Sequence, residues 1–326
     1  MDKKIKIAIA GYGNIGKGAH LAALAAPDME LAGIFTRRDP ATIETIDGNK
    51  TPVFHLDKAE SMVDEIDVLL LCGGSANDLA EHGPRFAKNF NIVDSYDIHS
   101  KIPEYLSIID SVAKKTTAVI SSGWDPGLFS MLRLLSEAIL PDGVGYTFWG
   151  RGLSQGHSNA IRQVDGVKNA VQYTVPIESA LESVRCGERP ELTPRQKMLR
   201  ECYVVAEQGA DKSAIEHNIK TMPDYFANYD TTVTFVDEDE LLKNHSEMPH
   251  GGVVMHSGRT GKNEHVIEYS LKLGSNPEFT ASVMIAYARA AYKLASEGQF
   301  GAKTVFDIPL NYLSEKKRLD IIRKIL

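Results

Sequence analysis

Cysteine is scarce in this sequence, and its arrangement excludes several kinds of site. The 326 residues contain three cysteines, Cys72, Cys186 and Cys202, which form no CxxC pair and have no metal-ligand spacing. We therefore expect buried free thiols, a reducing cytoplasmic environment and no bound metal.

Long apolar runs are absent as well. No run approaches the ~18 residues that are needed to span a bilayer. The N-terminal segment MDKKIKIAIAGYG places lysines before apolar residues, but its apolar run is short and breaks into glycines, unlike a signal peptide. The sequence therefore predicts a protein that has no membrane partner.

An excess of positive charge is also missing. The formal net charge is −7, whereas a nucleic-acid surface needs a clustered basic face. We therefore predict no nucleic-acid partner. The chain is long enough for two domains of about 100 to 200 residues each, and its 43% hydrophobic content is ordinary for a globular protein.

The first third of the chain alternates strand-like and helix-like segments, a pattern typical of a parallel α/β sheet. Its apolar runs end in Gly, Ser, Thr or Asp, as expected of strands that are buried on both faces. These runs are IKIAIAG, MELAGIFTRR, IDVLLLCGGS, FNIVDSYD and TTAVISSGWDPG, with a very short strand at residues 52–54. We predict a Rossmann-type doubly wound parallel sheet, a dinucleotide-binding domain over residues 1–123.

The remainder of the chain has a different texture. Segments such as GYTFWGRG, ECYVVAEQ, TTVTFVDE and EHVIEYSLKLG carry β-branched and aromatic residues in partial alternation, which indicates a mixed or antiparallel sheet. A long helix is predicted in NPEFTASVMIAYARAAYKLASEG and a short one in EKKRLDIIRKIL. We predict a second, α+β domain over residues 124–299, with residues 300–326 packing back on the first domain.

A glycine-rich turn follows the first predicted strand and precedes a predicted helix. In this context Gly11 permits the tight turn, Gly13 leaves room for a pyrophosphate, and Gly16 lets the helix approach the strand. The helix N-terminus offers free amides to the anion. The alternative is a tight turn that binds nothing. The predicted cofactor-binding residues here are Gly11, Tyr12, Gly13, Asn14, Ile15 and Gly16.

Two arginines follow the second predicted strand, at a point where many dinucleotide-binding proteins carry an acid. An acid at Thr36 would bind the adenosine ribose and repel a 2′-phosphate. Arg37 instead offers a planar fork of donors for phosphate oxygens, and Thr36 adds a hydroxyl. Arg38 could stack on the adenine or be solvated. The sequence therefore predicts NADP rather than NAD, and the alternative is a solvated basic turn.

Two further loops follow predicted strands, at the edge where open parallel sheets bind ligands. Cys72, Gly73, Gly74 and Ser75 are small enough to lie beneath a cofactor, and we expect the Cys72 thiol to pack rather than to react. The loop DSYD, residues 94–97, places acids near the expected position of the nicotinamide.

Motifs spread over nearly the whole chain resemble one family. They are GYGN, PDMELAGIFTRR, LLLCGGSA, SSGWDPGLFS, TFWGRGLSQGHS, AVQYT, TMPDYF, MPHGG and NPEFTAS. The chain resembles the meso-diaminopimelate dehydrogenases, NADP-dependent enzymes of bacterial lysine and cell-wall precursor biosynthesis. The resemblance implies reversible oxidative deamination of the D-centre of meso-2,6-diaminopimelate to L-2-amino-6-oxopimelate and ammonia. It also implies a homodimer, in which the second domain supplies the substrate site and the subunit contact.

The resemblance implies roles for individual residues as well. Arg200, Thr174 and His250 would hold the unreactive L-centre, and Asn276 would contact the same end. The residues implied at the reactive D-centre are Asp94, Trp124, Asp125, Trp149, Gln155 and Gly156. Asp94 and Asp125 could hold the ammonium group and accept its proton, and the choice of general base between them stays open.

Two other interpretations compete with this one. Sugar dehydrogenases of the glucose–fructose oxidoreductase type carry Glu-Lys-Pro after the fifth strand, whereas this chain has DSYDIHSKIP there. A non-catalytic NADP-binding sensor would be expected to have a decayed site, and the presence of Trp124, Asp125, Arg200 and His250 argues against decay.

Overall fold

The computed structural model describes residues 3–326, so the first two residues of the predicted first domain and of the segment MDKKIKIAIAGYG lie outside the description. The chain divides into two compact units. The first comprises residues up to Met131 together with Pro277–Leu326, and the second is Leu132–Asn276.

The N-terminal part of the first unit alternates strands and helices. In chain order the elements are β1 (Ile5–Ala10), α1 (Asn14–Ala25), β2 (Met29–Thr36), β3 (Val53–His55), β4 (Val68–Leu71), α2 (Ala80–Ala87), β5 (Ile92–Asp94), α3 (Ile102–Val112), β6 (Thr117–Val119) and α4 (Leu128–Ile139), which belongs to the second unit from Leu132 onward. The helix α1 ends before Pro27, as predicted, because proline is a poor residue for continuing a helix.

The second unit carries shorter helices between longer strands. Its elements after α4 are β7 (Gly143–Trp149), β8 (Gly152–Leu153), α5 (Gln155–Arg162), β9 (Val167–Pro176), α6 (Glu178–Arg185), α7 (Pro194–Lys197), β10 (Met198–Ala206), α8 (Lys212–Thr221), β11 (Asp230–Phe235), α9 (Glu238–His245), β12 (His250–Thr260) and β13 (Asn263–Leu273). The chain then continues through α10 (Asn276–Ser296), β14 (Gly301–Lys303) and α11 (Arg318–Ile325).

The first unit is built on a seven-stranded sheet in the order β14-β6-β5-β4-β1-β2-β3, and every neighbouring pair is parallel. The order 3-2-1-4-5-6 within it is that of a doubly wound dinucleotide-binding sheet. Central strands such as β4 are buried along their whole length, which explains their continuous apolar runs. The predicted fold class is confirmed.

The second unit contains two sheets. One has the order β11-β10-β9-β8, with β10 and β11 parallel and the other neighbours antiparallel. The other has the order β13-β12-β7 and is antiparallel throughout. Helix α5 packs on β9, where Ile161 is buried with Ala170 and Val204 in one apolar cluster. The mixed and antiparallel pairing predicted from the alternating strands is therefore present.

The division into units differs from the predicted domain boundaries at α10. The prediction placed this helix in the second domain, but from Pro277 onward it groups with the first unit. The reason is its apolar face, since Ala281, Met284 and Ile285 are buried in the same cluster as Ile7 and Ile9 of the parallel sheet. Burial of a side chain as large as Met284 or Ile285 contributes about 1.5–3 kcal/mol.

The close approach of α1 to α10 depends on a glycine. A Cβ atom at Gly18 would come within 2.9 Å of the Glu278 Cα atom, so a larger residue would push the two helices apart. Beyond α10, β14 adds to the sheet edge by pairing with β6, and residues 300–326 group with the first unit. In the part of the chain that is described, no helix is both long and apolar enough to cross a membrane.

Candidate active site

The glycine turn between β1 and α1 has the geometry of an anion cradle. Gly11 has φ +99°, a conformation that favours glycine, and a Cβ at Gly16 would lie 2.0 Å from the Gly11 carbonyl oxygen. A Cβ at Gly13, by contrast, would meet no described atom within 4 Å. Gly13 is also the N-cap of α1 and has no side chain that could cap that end. The turn therefore leaves space at the helix N-terminus, where a pyrophosphate would bind.

A pocket of about 350 Å³ lies at the carboxyl ends of β1, β2 and β4. Its lining residues are Ala10, Gly11, Tyr12, Gly13, Phe35, Thr36, Arg37, Arg38, Leu56, Cys72, Gly73, Gly74, Asp78 and His82. Most of the predicted cofactor residues are among them, whereas Asn14, Ile15, Gly16 and Ser75 are not. Gly16 contributes instead through the close packing of the turn.

Sequence reasoning missed two polar lining residues, Asp78 and His82. Both follow the predicted loop CGGS, in the one-turn π-helix Ser75–Leu79 and in α2. Burial lowers the pKa of His82 and outweighs the negative charge of Asp78, which acts to raise it. The imidazole is therefore neutral near pH 7. A helical run of polar residues directly after a ligand loop is the signal that could have indicated them.

The two arginines of the predicted 2′-phosphate site have different partners. Arg38 Nη2 donates to the Tyr12 carbonyl oxygen at 2.7 Å, and the Arg38 amide donates to Thr36 Oγ1 at 3.1 Å. Arg38 therefore ties the β2 loop to the glycine turn. Arg37 is 65% exposed and forms an ion pair with Asp78, with Nη2 and Oδ1 2.6 Å apart.

Tyr12 also anchors the loop that follows the short 3-10 helix Pro40–Thr42 after β2. Its hydroxyl lies 2.9 Å from His20 Nδ1 and accepts a hydrogen bond from the Ile46 amide at 3.1 Å. His20 is fully buried, and burial lowers its pKa. These contacts fix the glycine turn relative to α1 and to residues 43–51, so the Tyr12 side chain acts as a support for the cofactor pocket.

Cys72 is a packing residue in this pocket. Its side chain is buried, and burial raises the pKa of the thiol to about 12. The thiolate is the nucleophilic form, so Cys72 keeps its proton near neutral pH and has no nucleophilic role.

Asp94 is held by hydrogen bonds inside the first unit. Its side chain is 0% exposed, at the end of β5. Oδ1 accepts hydrogen bonds from the Tyr96 and Ser121 amides at 3.0 and 2.9 Å, and Oδ2 accepts one from the Tyr105 hydroxyl at 2.8 Å. Both oxygens therefore join the loops after β5 and β6, and the role at the D-centre that the resemblance implies for Asp94 stays a prediction.

Asp97 is the acid of the same loop that faces outward. It is exposed, and its amide donates to Ser75 Oγ at 3.1 Å, which joins this loop to the end of CGGS. Between the two acids, the Tyr96 ring stacks on Tyr105 at a centroid distance of 4.1 Å and is buried. Of the two acids in DSYD, Asp94 is therefore buried and Asp97 is exposed.

Trp124 and Asp125 lie in the loop after β6. The Trp124 ring is 6% exposed and packs edge-on against Phe129, with centroids 5.4 Å apart. Ser122, two residues earlier, donates from its amide and its hydroxyl to the Asp94 carbonyl oxygen. The backbone of the DSYD loop and that of the SSGWDPG loop are thus joined at the carboxyl edge of the sheet.

In the second unit, Thr174 and Arg200 are directly opposite each other on β9 and β10. Arg200 is 7% exposed, donates from Nη1 to Thr174 Oγ1, and its guanidinium lies 3.9 Å from the centroid of the Tyr229 ring. Its Nε atom is buried and has no hydrogen-bond partner among residues 3–326. A buried guanidinium with an uncommitted donor is the arrangement expected of a carboxylate site.

His157 lies near this guanidinium and is neutral. Burial, together with the charge of Arg200, lowers the pKa of His157 to about 4. Ser154 Oγ, the N-cap of α5, lies 2.8 Å from His157 Nδ1. A neutral imidazole beside Arg200 leaves the positive charge of this region on the arginine.

The other predicted substrate residues of this unit are a pair joined by Met248 and three residues at separate positions. Met248 brings Gln155 and Asn276 together, because its Sδ lies 2.9 Å from Gln155 Nε2 and its carbonyl oxygen accepts from the Asn276 amide at 3.0 Å. His250 packs against Gly152, where a Cβ would lie 2.5 Å from the imidazole ring. Trp149 ends β7, and Gly156 stands in the first turn of α5 with open space beside it among the described residues.

No group of three or more His, Cys, Asp or Glu side chains within residues 3–326 is arranged to hold a metal ion. The described features are instead those of a pyridine-nucleotide-dependent dehydrogenase. They combine a doubly wound sheet, a glycine turn and an arginine-lined pocket in the first unit with a buried arginine in the second.

Comparison with known proteins identifies the family. Residues 123–275 match the model of the diaminopimelic acid dehydrogenase C-terminal domain. The meso-diaminopimelate D-dehydrogenase of Acetivibrio thermocellus is 59% identical, with 99% of this chain and 98% of that protein covered. The chain belongs to the meso-diaminopimelate D-dehydrogenase family.

Solved structures agree with this membership. A sextuple variant of the Clostridium tetani enzyme with diaminopimelate is 51% identical, with a TM-score of 0.94 over 99% of this chain and 100% of that one. An engineered D-amino acid dehydrogenase bound to NADP+ is 44% identical, with a TM-score of 0.88 over 99% and 100% of the two chains.

The burial of Asp94 leads to a prediction about stability and pH. Burial raises the pKa of Asp94 from 3.8 to about 6, because the charged form is disfavoured inside the protein. As pH rises through this interval, the unfolded state loses its proton first, so Asp94 stabilises the fold below pH 4 and this stabilisation is lost by pH 7. The difference amounts to about 3 kcal/mol.

Asp94→Asn should remove this dependence. Asparagine can accept from both backbone amides through Oδ1 and donate to the Tyr105 hydroxyl, whose proton can turn to the Leu79 carbonyl oxygen 3.2 Å away. Urea unfolding at pH 4.5 and 7 should show the variant gaining stability relative to the wild type at the higher pH. An equal difference at both pH values would contradict the assigned burial of the charge.

Proposed function

We propose that this protein catalyses the reversible NADP-dependent oxidation of the D-centre of meso-2,6-diaminopimelate, which yields L-2-amino-6-oxopimelate and ammonia. The observation that carries the proposal is the buried Arg200 guanidinium with its uncommitted Nε, in a chain that belongs to this family. A substrate with two similar amino-acid ends must enter in one orientation, and a fixed cation at the unreactive end supplies that orientation.

The L-centre is assigned to Arg200, Thr174, His250 and Asn276. Thr174 Oγ1 accepts a hydrogen bond from Arg200, so the hydroxyl proton of Thr174 is available to the substrate carboxylate. The two side chains thus present donors to a carboxylate, and the fork of Arg200 can bind it bidentately. The residue types altered in the Clostridium tetani variant include Gln, Thr, Arg, His and Asn, the types of Gln155, Thr174, Arg200, His250 and Asn276.

The D-centre is assigned to Asp97 and Asp125, with further contacts from Trp124, Trp149, Gln155 and Gly156. Asp97 takes the place that the sequence analysis gave to Asp94, because Asp97 is exposed whereas both Asp94 oxygens are engaged in the fold. Carboxylates suit this end because they can hold an ammonium group and accept its proton.

The chemical step requires a neutral amine at the D-carbon, because only the free lone pair can form the carbon–nitrogen double bond of the imine. The carboxylates therefore have to remove a proton while they keep the amine in position. NADP, when bound, supplies the acceptor for the hydride of that carbon. Water then adds to the imine carbon and ammonia leaves, so that a ketone remains.

The first unit is assigned as the dinucleotide-binding unit. The open space at Gly13, the N-terminus of α1 and the phosphate-compatible fork of Arg37 fit the pyrophosphate and the 2′-phosphate of NADP. We assign substrate binding and dimerisation to the second unit. The free cysteines at positions 72, 186 and 202 support a reducing cytoplasmic location, and the net charge of −7 argues against a nucleic-acid partner.

The function is tested by mixing the purified protein with NADP and meso-diaminopimelate and following absorbance at the NADPH band. The expected result is a rise that requires both compounds, together with release of ammonia. A sensor would bind NADP without a rise, and a sugar dehydrogenase would respond to polyols instead of the diamino diacid. Either result would overturn the proposal.

Asp97→Asn and Asp94→Asn form a matched pair for the assignment of the acid. Loss of a proton-accepting carboxylate at the substrate should lower kcat/KM for the diamino diacid at pH 8 by about 10²–10⁴-fold in Asp97→Asn. Asp94→Asn should stay within about tenfold of the wild type, below that range. Steady-state kinetics at saturating NADP measures both, and the reverse ranking would restore Asp94 to the site.

Arg200→Lys should weaken substrate binding and leave cofactor binding unchanged. Lysine keeps the charge and loses the fork, and the loss of a charge-assisted hydrogen bond should raise KM for the diamino diacid by about 10- to 100-fold. Arg195→Lys is the control. Arg195 is an exposed residue of α7, and its Nε atom lies 3.5 Å from Oδ1 of Asp230 at the start of β11. Equal losses for substrate and NADP in Arg200→Lys would contradict its role.

The homodimer is assigned to an exposed apolar surface on α4. Leu134, Leu135 and Ile139 are 49%, 46% and 57% exposed, an unusual concentration for one helix turn in contact with water. Leu135→Asp should therefore lower the mass measured by sedimentation equilibrium to that of one chain. Leu242→Asp, at an isolated leucine that is 65% exposed on α9, should leave the dimer intact. A dimer that persists in Leu135→Asp would show that another surface forms the contact.

A further inference from the structure

The cofactor pocket contains an acid where an anion is expected to bind. Asp78 lines the same pocket as Arg37, and its Oδ1 lies 2.6 Å from Arg37 Nη2. A carboxylate in this place should repel the 2′-phosphate of NADP, so its presence needs a physical reason.

Asp78 is held rigidly by the loop that precedes it. Its amide donates to the Gly74 carbonyl oxygen at 2.9 Å, and its Oδ2 accepts from the Gly74 amide at 3.0 Å. A Cβ at Gly73 would lie 2.4 Å from the Asp78 Cβ, so the loop closes tightly around this side chain. The Asp78 side chain is 17% exposed, and its carboxylate is therefore a fixed point in the pocket.

Arg37, in contrast, is a long side chain that is 65% exposed. A side chain of this kind loses considerable rotamer freedom when it is ordered by a ligand. The contact with Asp78 has the distance of an ion pair, but no directed hydrogen bond reaches Asp78 Oδ1 among the described residues. The guanidinium carries five N–H groups, so enough of them remain to bind phosphate oxygens while the ion pair persists.

We propose that Asp78 is a positioning residue for cofactor selection, which holds the Arg37 guanidinium at the pocket so that the enzyme prefers NADP to NAD. The proposal rests on the proposed function for the identity of the cofactor and for nothing else. Asp78 orders Arg37 before the cofactor arrives, and this gain exceeds the repulsion between the carboxylate and the phosphate, because the Arg37 charge beside Asp78 offsets that of the carboxylate.

Asp78→Asn tests the proposal in a direction opposite to simple electrostatics. The amide can still accept from the Gly74 amide, but it no longer attracts Arg37. We expect the Kd for NADP, measured by isothermal titration calorimetry, to rise about tenfold, while the Kd for NAD stays within about twofold. The fragments 2′,5′-ADP and 5′-AMP should show the same difference, because they differ in the 2′-phosphate alone.

Two further variants separate the tether from a general effect of charge. Glu81→Gln removes one negative charge from an exposed residue of the neighbouring turn and should leave the Kd for NADP equal or slightly lower. In an Arg37→Gln background, Asp78→Asn should have no further effect on the Kd for NADP, since the residue acts through Arg37. If Asp78→Asn fails to fold, Asp78→Ser keeps an acceptor for the Gly74 amide and tests the same contact.

Three results would overturn the proposal. Tighter NADP binding by Asp78→Asn would show that the carboxylate competes with the phosphate. Equal weakening of NADP and NAD would show that Asp78 supports the loop alone, and an undiminished effect in the Arg37→Gln background would separate it from the arginine. A wild-type protein that binds NAD as tightly as NADP would instead refute the assigned cofactor preference, whatever Asp78 does.

Discussion

The close contact between the glycine turn and its own helix is the constraint on which the first unit depends. With a Cβ at Gly16 the Gly11 carbonyl oxygen would be 2.0 Å away, so glycine alone lets α1 begin this close to β1. That placement sets the amides of α1 above the carboxyl edge of the sheet. The loops that follow β2, β4, β5 and β6 begin at the same carboxyl edge, because all strands of a parallel sheet point the same way.

Two buried charges show how the same degree of burial serves different ends. Asp94 is 0% exposed and both of its oxygens accept hydrogen bonds from the fold, whereas Arg200 is 7% exposed and keeps an uncommitted Nε. A buried charge that is fully bonded contributes to architecture, while one that lacks a partner is expected to wait for a ligand. The sequence carries no sign of this difference, because hydrogen-bond satisfaction depends on loops that are remote in the chain.

The features that could be predicted are those that local physics determines. Continuous apolar runs identified the parallel strands, and the glycine spacing with Thr36 and Arg37 identified the cofactor pocket. The resemblance supplied predictions for the substrate residues, which spacing alone could not. The inward direction of Asp94 depends on where β5 ends, and the grouping of α10 with the first unit depends on packing against strands that lie far earlier in the chain.

The two arginines assigned to anions are prepared for them in opposite ways. Arg200 is buried over the Tyr229 ring and against Thr174, so its geometry is set by packing and its charge acts in a poorly screened environment. Arg37 is exposed to solvent, where screening weakens the attraction of its charge for an anion and where ordering the side chain costs more entropy. Asp78, which the backbone of Gly74 holds in place, orients it. A rigid partner such as Asp78 can therefore order an exposed arginine in the way that burial orders Arg200. The exposed arginine, Arg37, lies where a large cofactor must enter and leave.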